Sequence, residues 1–477
     1  MTRTLLTLCS LTLFGLSSCS FKAEERRPDV LLLVIDTLRA DHLGCYGYGR
    51  PTSPVIDEIA EGGALFRNNS SQAPWTLPSM SSMLTSRYFT AHRDFPEETV
   101  PTLVESFKAA GYHTIGIAGN PLLEAEHGFG RGFDEYSILA GDLPALTEQV
   151  LVPLDLALEQ EERKPIFLYV HAFDPHAPYI AHPEFDEVLP LDGAPEILPG
   201  GWQQELLATY GPVPPEEDAD WSTALGKIDR ERALYDQEIR YADEHTGELL
   251  ELLAARGLSD SLLIALVSDH GEGLWEHLSP APKERLKSFA PKNLFFGGHG
   301  HDLSEQALRT PFVLAGPGVP AGLRLDAPVE NVDLFPTLLS LCDLPRPGDL
   351  HGVDLTALFS GSQQPTGWRT ETYAYIRHAV SLRDEEAQLK IVVPTEFGTT
   401  KEFPPATLHR LSEDPLERED LSAALPEELS RLNARLEAYL ERYPTTTERV
   451  GDHISQERLN ALGYAGQGDE PASEEEE

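Results

Sequence analysis

Cysteine is scarce in this sequence: 477 residues contain only four, and they form no cluster that would suggest a metal site. Cys9 and Cys19 fall in an N-terminal apolar segment, so Cys45 and Cys342 remain for the body of the protein. One disulfide between them is possible in an oxidising compartment, but the sequence favours two free, buried thiols.

Positive charge is also scarce. There are 37 Lys and Arg residues against 78 Asp and Glu residues, which gives a formal net charge of −41. A chain this acidic is not expected to bind nucleic acid, and an anionic substrate must be held by local positive charge. Hydrophobic residues make up 41% of the chain, enough to bury a sizeable core, which excludes wholesale disorder.

The N-terminus lacks a hydrophobic run long enough for a comfortable membrane span. Residues 5–16 are mostly apolar and follow one arginine, which is typical of a secretory signal. The next residues, Leu-Ser-Ser-Cys, resemble a bacterial lipobox and make Cys19 the predicted lipidation site. We therefore expect a signal peptide at 1–19, a tether at 20–28 and an exported lipoprotein of the bacterial cell envelope, anchored to a membrane by lipid. An ordinary cleaved signal or an uncleaved anchor remains the alternative.

Apolar runs alternate with amphipathic segments from residue 29 onward. The runs are DVLLLVID, HTIGIAG, PIFLYVHAF and SLLIALVSD, separated by helical patterns such as VIDEIAEGG and TLVESFKAAG. This alternation predicts an α/β fold with a large, mostly parallel central sheet covered on both faces. We expect this domain at 29–345, with surface insertions at 180–228 and 279–296, a smaller α+β unit at 346–445, and a disordered acidic tail at 446–477.

Polar residues stand where the predicted strands end, and ligands of such sheets bind beyond those carboxyl ends. Asp36 ends one run, and Asp269 and His270 end another in VSDHGEG. A carboxylate and an imidazole aimed at one point suit a divalent cation with mixed oxygen and nitrogen ligands. Asp-His-Gly is equally compatible with a plain turn, and Asp36 with a turn cap.

Histidines supply the next candidates. In VHAFDPHAPY, His171 lies on the predicted strand and is interpreted as a packed core histidine, whereas Asp174 and His176 lie in a turn suited to substrate contact. In GGHGHDLSEQ, His299 and His301 occupy a glycine-rich loop, which allows close approach of a ligand but is also compatible with a surface loop.

Thr76 lies in APWTLPSMSSMLTSR, at the predicted start of a helix opened by Pro78. Its hydroxyl is placed either to cap the helix or to serve as a nucleophile, because a helix N-terminus also stabilises an anion. The local pattern leaves both roles open.

The ordered set of motifs resembles the sulfatase family of the alkaline phosphatase superfamily. The resemblance covers residues 29–345 through VIDTLRADHLGCYGY, PWTLPSMSSMLTSR, GFGRGFDEY, DPHAPY, LYDQEIRYADEHTGELL, SDHGEG and GHG. It implies an alkaline phosphatase-like sandwich with a smaller C-terminal subdomain, and a divalent metal (Ca, Mn or Zn). The implied metal ligands are Asp36, Thr76, Asp269 and His270, with Thr76 at the nucleophile position and His176 and His299 as catalytic histidines.

The sequence departs from the family pattern at the nucleophile. Family members carry Cys or Ser in C/S-x-P-x-R and oxidise it to formylglycine, whereas this window reads Thr-Leu-Pro-Ser-Met, so no formylglycine is expected. The usual Asp-Asp pair is Asp36-Thr37, and the usual Gly-Lys-x-His run is Gly-Asn-Pro-Leu at 119–122. An unmodified threonine favours phosphate or phosphonate esters over sulfate esters, because a sulfated threonine needs water to attack sulfur.

The sequence therefore predicts an exported hydrolase that cleaves phospho- or sulfo-esters of a small molecule, glycan or lipid through Thr76. A phospho-headgroup transferase and a noncatalytic binder of sulfated or phosphorylated glycans are the alternatives. Four further residues are candidates for a second metal or for the substrate: Asp174, His301, Arg39 and Arg87.

Overall fold

The computed structural model describes residues 27–88, 95–96, 98–191, 218–278, 295–348, 350–360, 364–376, 378–395 and 405–443. The predicted signal peptide with Cys19, nearly all of the predicted tether and the acidic tail lie outside the described residues. So do residues 192–217 and 279–294, the larger parts of the two predicted insertions.

Sixteen strands occur in the described residues. They are β1 Asp29–Ile35, β2 Gly63–Phe66, β3 Asn69–Ser70, β4 His113–Ala118, β5 Glu135–Ile138, β6 Ile166–Ala172, β7 Leu262–Val267, β8 Gly273–Leu278, β9 Phe295–Gly298, β10 Phe312–Ala315, β11 Leu323–Leu325, β12 Val329–Glu330, β13 Glu371–Ile376, β14 Ala379–Asp384, β15 Leu389–Pro394 and β16 Thr407–Arg410. Eight form the central sheet in the order β11-β2-β10-β7-β1-β6-β4-β5. Only β10 runs antiparallel to its neighbours, β2 and β7, so the mostly parallel sheet is confirmed.

Eight α-helices occur in the described residues: α1 Pro54–Glu61, α2 Thr76–Thr85, α3 Leu103–Ala109, α4 Leu143–Leu158, α5 Asp218–Ala255, α6 Glu305–Leu308, α7 Leu334–Leu341 and α8 Pro426–Arg442. Six of them, α1 to α5 and α7, cover the two faces of the central sheet. Side chains of β1 alternate between the two layers: Leu32 packs with α2, α3 and α7, and Leu33 packs with α1, α4 and α5. Burial on both faces explains why β1 reads as a continuous apolar run.

Local signals in the sequence account for several helix starts. Thr102 accepts a hydrogen bond from the backbone N–H of Glu105, whose carboxylate accepts one from the Thr102 N–H, forming a capping box before α3. Asp142 caps α4 through the N–H of Ala145. None of the helices in the described part of the chain is long and apolar enough to cross a bilayer.

A second, antiparallel sheet of order β13-β14-β15-β16 forms the smaller C-terminal unit. Helix α8 covers it with a face that buries Leu432, Leu436 and Tyr439 against Leu382 and Ile391. The predicted α+β character of this part is confirmed by its sheet and helix.

Helix α5 starts at residue 218, inside the surface insertion predicted at 180–228, and its middle and end pack on the sheet. Cys45 and Cys342 are both free thiols, as the sequence favours; Cys342 is buried, whereas Cys45 is only half-buried.

Candidate active site

Strand β1 lies between β6 and β7, and the carboxyl ends of these three parallel strands meet at one edge of the sheet. Asp36 directly follows β1, and its backbone N–H bonds the carbonyl of Ala172 at the end of β6. Asp269 and His270 follow β7, and His171 lies in β6 opposite Val34 of β1. The strand order thus brings together residues that are far apart in the chain.

Asp36, Asp269 and His270 form a fully buried group whose ligand atoms lie within 4.8 Å of one another. His270 Nε2 is 3.6 Å from Asp36 Oδ1 and 3.4 Å from Asp269 Oδ2. Neither of these two carboxylate oxygens has a hydrogen-bond partner among the described residues. Buried, unsatisfied carboxylates are costly unless a cation binds them, so the residues present fit a divalent metal. Within the described ranges this is the one group of three such ligands.

The two carboxylates have opposed pKa shifts. Burial, together with the charge of Asp36, raises the pKa of Asp269 to about 8. Burial would also raise the pKa of Asp36, but a hydrogen bond from His171 and the nearby histidines hold it below its usual value. Ionising both carboxylates at this distance costs free energy unless a cation is bound with them.

Thr76 is the first residue of α2 rather than its N-cap, a position that Trp75 takes. The N-cap that the sequence predicts at or near Thr76 therefore lies one residue earlier. Its Oγ1 lies 3.3 Å from His270 Nε2 and is fully buried. The hydroxyl faces the metal-ligand group, next to the positive end of a ten-residue helix.

Asn120 bridges the predicted nucleophile and a metal ligand. Its Nδ2 donates to Asp36 Oδ2 at 2.7 Å and to Thr76 Oγ1 at 3.1 Å. Its Oδ1 accepts from the Leu122 N–H at 3.0 Å, which fixes the orientation of the amide. Thr76 Oγ1 is therefore an acceptor in this contact.

His171 and Thr37 complete the surroundings of Asp36. His171 Nε2 lies 3.2 Å from Asp36 Oδ2, and Nδ1 lies 2.9 Å from the hydroxyl of Tyr169. Thr37 adopts a left-handed φ of 54°, and its buried hydroxyl has no hydrogen-bond partner in the part of the chain that the structure describes. Its carbonyl accepts from Tyr235, and its N–H donates to Asp269, so neighbouring contacts hold the strained backbone in place.

His176 and His299 lie side by side, with ring centroids 4.9 Å apart, and His299 is 4.6 Å from His270 by the same measure. His176 Nδ1 lies 2.7 Å from the Ala177 carbonyl, so Nδ1 carries the proton. His299 Nδ1 lies 3.1 Å from Glu272 Oε1, and Tyr179 donates to the other oxygen of Glu272. Burial lowers the pKa of His176 to about 4 and raises that of Glu272 to about 7.

The four candidates for a second metal or for the substrate make contacts outside the group of Asp36, Asp269 and His270. Asp174 accepts from the Leu143 N–H at the start of α4, Arg39 pairs with Asp41 and Glu276, and Arg87 contacts His351. These contacts favour structural roles for both arginines. His301 is half-buried in the loop of His299 and does not complete a second group of three ligands in the described residues.

From the sequence alone, two side chains of the site received no role, and a third was interpreted only as a packed core residue. Glu272 stands inside VSDHGEG and Asn120 inside the altered Gly-Asn-Pro-Leu run, so both were visible without an assigned role. His171 is buried as predicted but contacts Asp36 directly. The missing information was the register between neighbouring strands.

The fold and site define an ester hydrolase of the sulfatase type, within the alkaline phosphatase superfamily. The profile of the family described as "Sulfatase" matches residues 28–344, and that of "N-sulphoglucosamine sulphohydrolase, C-terminal" matches residues 301–442. The chain belongs to the sulfatase family.

Individual relatives agree with this assignment. The chain is 27% identical to iduronate 2-sulfatase of Mus musculus over 67% of this chain and 69% of the relative. It is 24% identical to choline-sulfatase of Rhizobium meliloti (strain 1021) over 83% and 82%. Among solved structures, a phosphonate monoester hydrolase from Silicibacter pomeroyi matches with a TM-score of 0.69 and 20% identity, over 88% of this chain and 96% of the other. That likeness shows the shared fold.

Proposed function

We propose that the protein hydrolyses phospho- or sulfo-esters with unmodified Thr76 as nucleophile and a divalent cation held by Asp36, Asp269 and His270. The observation that carries this proposal is the position of Thr76 Oγ1, 3.3 Å from His270 Nε2 and hydrogen-bonded to Asn120. A bound cation would supply Lewis-acid stabilisation of the oxygens that carry negative charge.

Asn120 holds the nucleophile in place and stabilises it as it loses its proton. Because Thr76 Oγ1 accepts from Asn120, that bond strengthens when negative charge develops on the oxygen. The N-terminus of α2 acts in the same direction. Thr76 Oγ1 gives its proton to solvent and forms a bond to the phosphorus or sulfur, and the bond to the leaving oxygen breaks. Water then attacks the phosphorus or sulfur of the threonine ester, which releases phosphate, phosphonate or sulfate, and Thr76 Oγ1 takes back a proton.

The proton for the leaving oxygen is assigned to His299 rather than His176. His176 Nδ1 donates to a carbonyl and its pKa is lowered to about 4, so its Nε2 carries no proton near neutral pH. Burial lowers the pKa of His299 as well, so its ring is neutral, but its Nδ1 lies 3.1 Å from Glu272 Oε1, and burial raises the pKa of Glu272. When Glu272 carries a proton for Nδ1, His299 Nε2 is the donor, and Glu272 replaces the proton that His299 gives up. His176 then serves as a contact to the transferred group.

The ester class follows from the nucleophile. Threonine lacks the hydrated aldehyde through which formylglycine releases sulfate, so phosphate or phosphonate esters are favoured over sulfate esters. The structural neighbour named as a phosphonate monoester hydrolase is consistent with this preference, although at 20% identity the likeness concerns the fold.

The proposal includes export and lipidation at Cys19, on the strength of the apolar segment at 5–16 and the Leu-Ser-Ser-Cys sequence. It also retains the division into a catalytic domain at 29–345, a C-terminal unit at 346–445 and terminal segments outside them. Mass spectrometry of the mature N-terminus tests the lipid attachment.

The test of function compares the metal content and turnover of the protein with those of Thr76→Ala. Substrates are aryl phosphate, phosphodiester, phosphonate and sulfate esters with one common leaving group. Thr85→Ala is the matched control, because Thr85 is a buried threonine of the same helix that bonds the Ser81 carbonyl. We expect metal-dependent turnover that Thr76→Ala loses by about 10³-fold or more and Thr85→Ala retains.

Two results would point to the alternatives. Bound metal without turnover of any ester in the unaltered protein contradicts hydrolysis and favours a noncatalytic binder. A product that forms only when an acceptor alcohol is added favours a transferase.

A further inference from the structure

The C-terminal sheet contacts the loop that carries His299. This loop, residues 299–304, leads from β9 into α6. At its beginning, the Gly300 N–H donates to the Pro74 carbonyl at 2.9 Å, two residues before Thr76. At its end, Leu303 is 2% exposed and packs with Ala374, Ile376 and Ala379 of the C-terminal sheet.

A buried lysine joins the two parts at this end of the loop. Lys390 of β15 is 1% exposed, and its ammonium donates to the Leu303 carbonyl and to Glu305 Oε1 at 3.0 Å. It also pairs with Glu417 Oε1 at 2.8 Å. Three acceptors use all three N–H groups of the ammonium, so its burial is fully compensated.

The acidic partners are themselves fixed. Glu417 Oε2 accepts from the Glu305 N–H at 2.7 Å, which closes a ring of contacts among Lys390, Glu305 and Glu417. Arg383 of β14 binds the other oxygen of Glu305. The backbone at Leu303 and Glu305 therefore has little freedom to shift relative to the C-terminal sheet.

From these contacts we propose that Lys390 is a positioning residue for His299, so that the C-terminal sheet sets where the His299 ring lies beside His270 at the active site. The inference rests on the proposed function in the role it gives to His299. A displacement of about 1 Å at a reacting group can cost about 100-fold in rate, so a contact four residues from His299 is close enough to matter.

The first arm of the test measures hydrogen exchange of the peptide spanning residues 297–304 and needs no turnover. Lys390→Met keeps most of the side-chain volume and removes the ammonium. The control is Arg435→Met, which removes a cation that pairs with Asp384 and Glu371 in the same C-terminal unit, away from the loop. Each protein is measured equally far below its own melting temperature.

We expect loop amides, including that of Gly300, to exchange about 10-fold faster in Lys390→Met and at the unaltered rate in Arg435→Met. Equal loop exchange in the two variants would overturn the proposal. If Lys390→Met does not fold, Glu417→Gln takes its place, because it removes the charge and keeps the shape of that side chain.

The second arm measures kcat for esters with leaving groups of rising pKa in Lys390→Met, His299→Ala and the double variant. Positioning through His299 predicts a loss of about 10- to 100-fold for poor leaving groups, little loss for good ones, and no further loss in the double variant. Losses that multiply would contradict the proposal. If the unaltered protein turns over no ester, the proposed function fails, while hydrogen exchange still decides whether Lys390 fixes the loop.

Discussion

Replacing Asn120 by alanine separates two effects that its amide has on the site. One N–H bonds Thr76 Oγ1 at 3.1 Å and the other bonds Asp36 Oδ2 at 2.7 Å. The first contact acts on the proposed nucleophile and the second on a proposed metal ligand. The substitution is therefore expected to change both catalysis and metal affinity, in measurements that can be made separately.

The catalytic effect follows from the charge that develops on Thr76 Oγ1. Removing one donor to a developing oxyanion costs roughly 2.7–4 kcal/mol in well-studied cases. We expect about 2 kcal/mol here, since the 3.1 Å bond is not short and a cation would share the charge, which is roughly a 30-fold loss of kcat. KM is expected to change little, because the amide contacts the nucleophile in the protein.

The effect on metal binding follows from the hydrogen bond to Asp36. Losing such a supporting bond typically weakens metal affinity by about 10- to 100-fold. Kcat is therefore measured at saturating metal, and affinity by titration of the metal-free protein. An unchanged kcat in Asn120→Ala at saturating metal would refute the reasoning, because Asn120 would then not stabilise Thr76 during attack.

Two further predictions concern charge. Burial and Asp36 raise the pKa of Asp269 to about 8. In the metal-free protein, ionisation of Asp269 therefore lowers the free energy of unfolding; this loss is absent near pH 4, grows as pH rises and is complete above about pH 8. Metal-free Asp269→Asn should then melt roughly 1–3 °C higher than the unaltered protein at pH 8 and show no rise on metal addition; a lower melting temperature would count against the buried carboxylate pair. Burial opposes ionisation of Glu305, but Arg383 and Lys390 lower its pKa to about 2. The ionised carboxylate therefore stabilises the folded protein above about pH 4.5, and this stabilisation is lost as pH falls toward 2. The stability deficit of Glu305→Gln, on the order of 2 kcal/mol at pH 6 by urea unfolding, should shrink through that range, and a deficit independent of pH would exclude this ion pairing.

The fold could be predicted because its central strands are buried on both faces. DVLLLVID and SLLIALVSD leave little alternative to parallel strands in an α/β sheet, and both are found as β1 and β7. The same pattern predicted the candidate metal ligands Asp36, Asp269 and His270, since the two carboxylates come at the ends of those strands.

The rest of the site depends on contacts that no local pattern contains. His171 faces Asp36 because β6 pairs with β1 in one register, in which Val34 lies opposite His171. Asn120 reaches Thr76 from the end of a different strand. Lys390 stands in an ordinary strand sequence, and only its partners in the loop after His299 explain why its ammonium is buried.

The order of the central strands brings together site residues that are far apart in the chain. Asp36 and His171 are 135 residues apart in the chain, yet their strands are hydrogen-bonded neighbours, and β7 lies on the other side of β1. Between β1 and β6 the chain forms β2, β4 and β5 of the same sheet, and between β6 and β7 it forms α5. The loops that join these elements can change in length without moving the residues at the strand ends. The surface around the site can therefore vary with these loops while Asp36, His171 and Asp269 keep their places at one edge of the sheet.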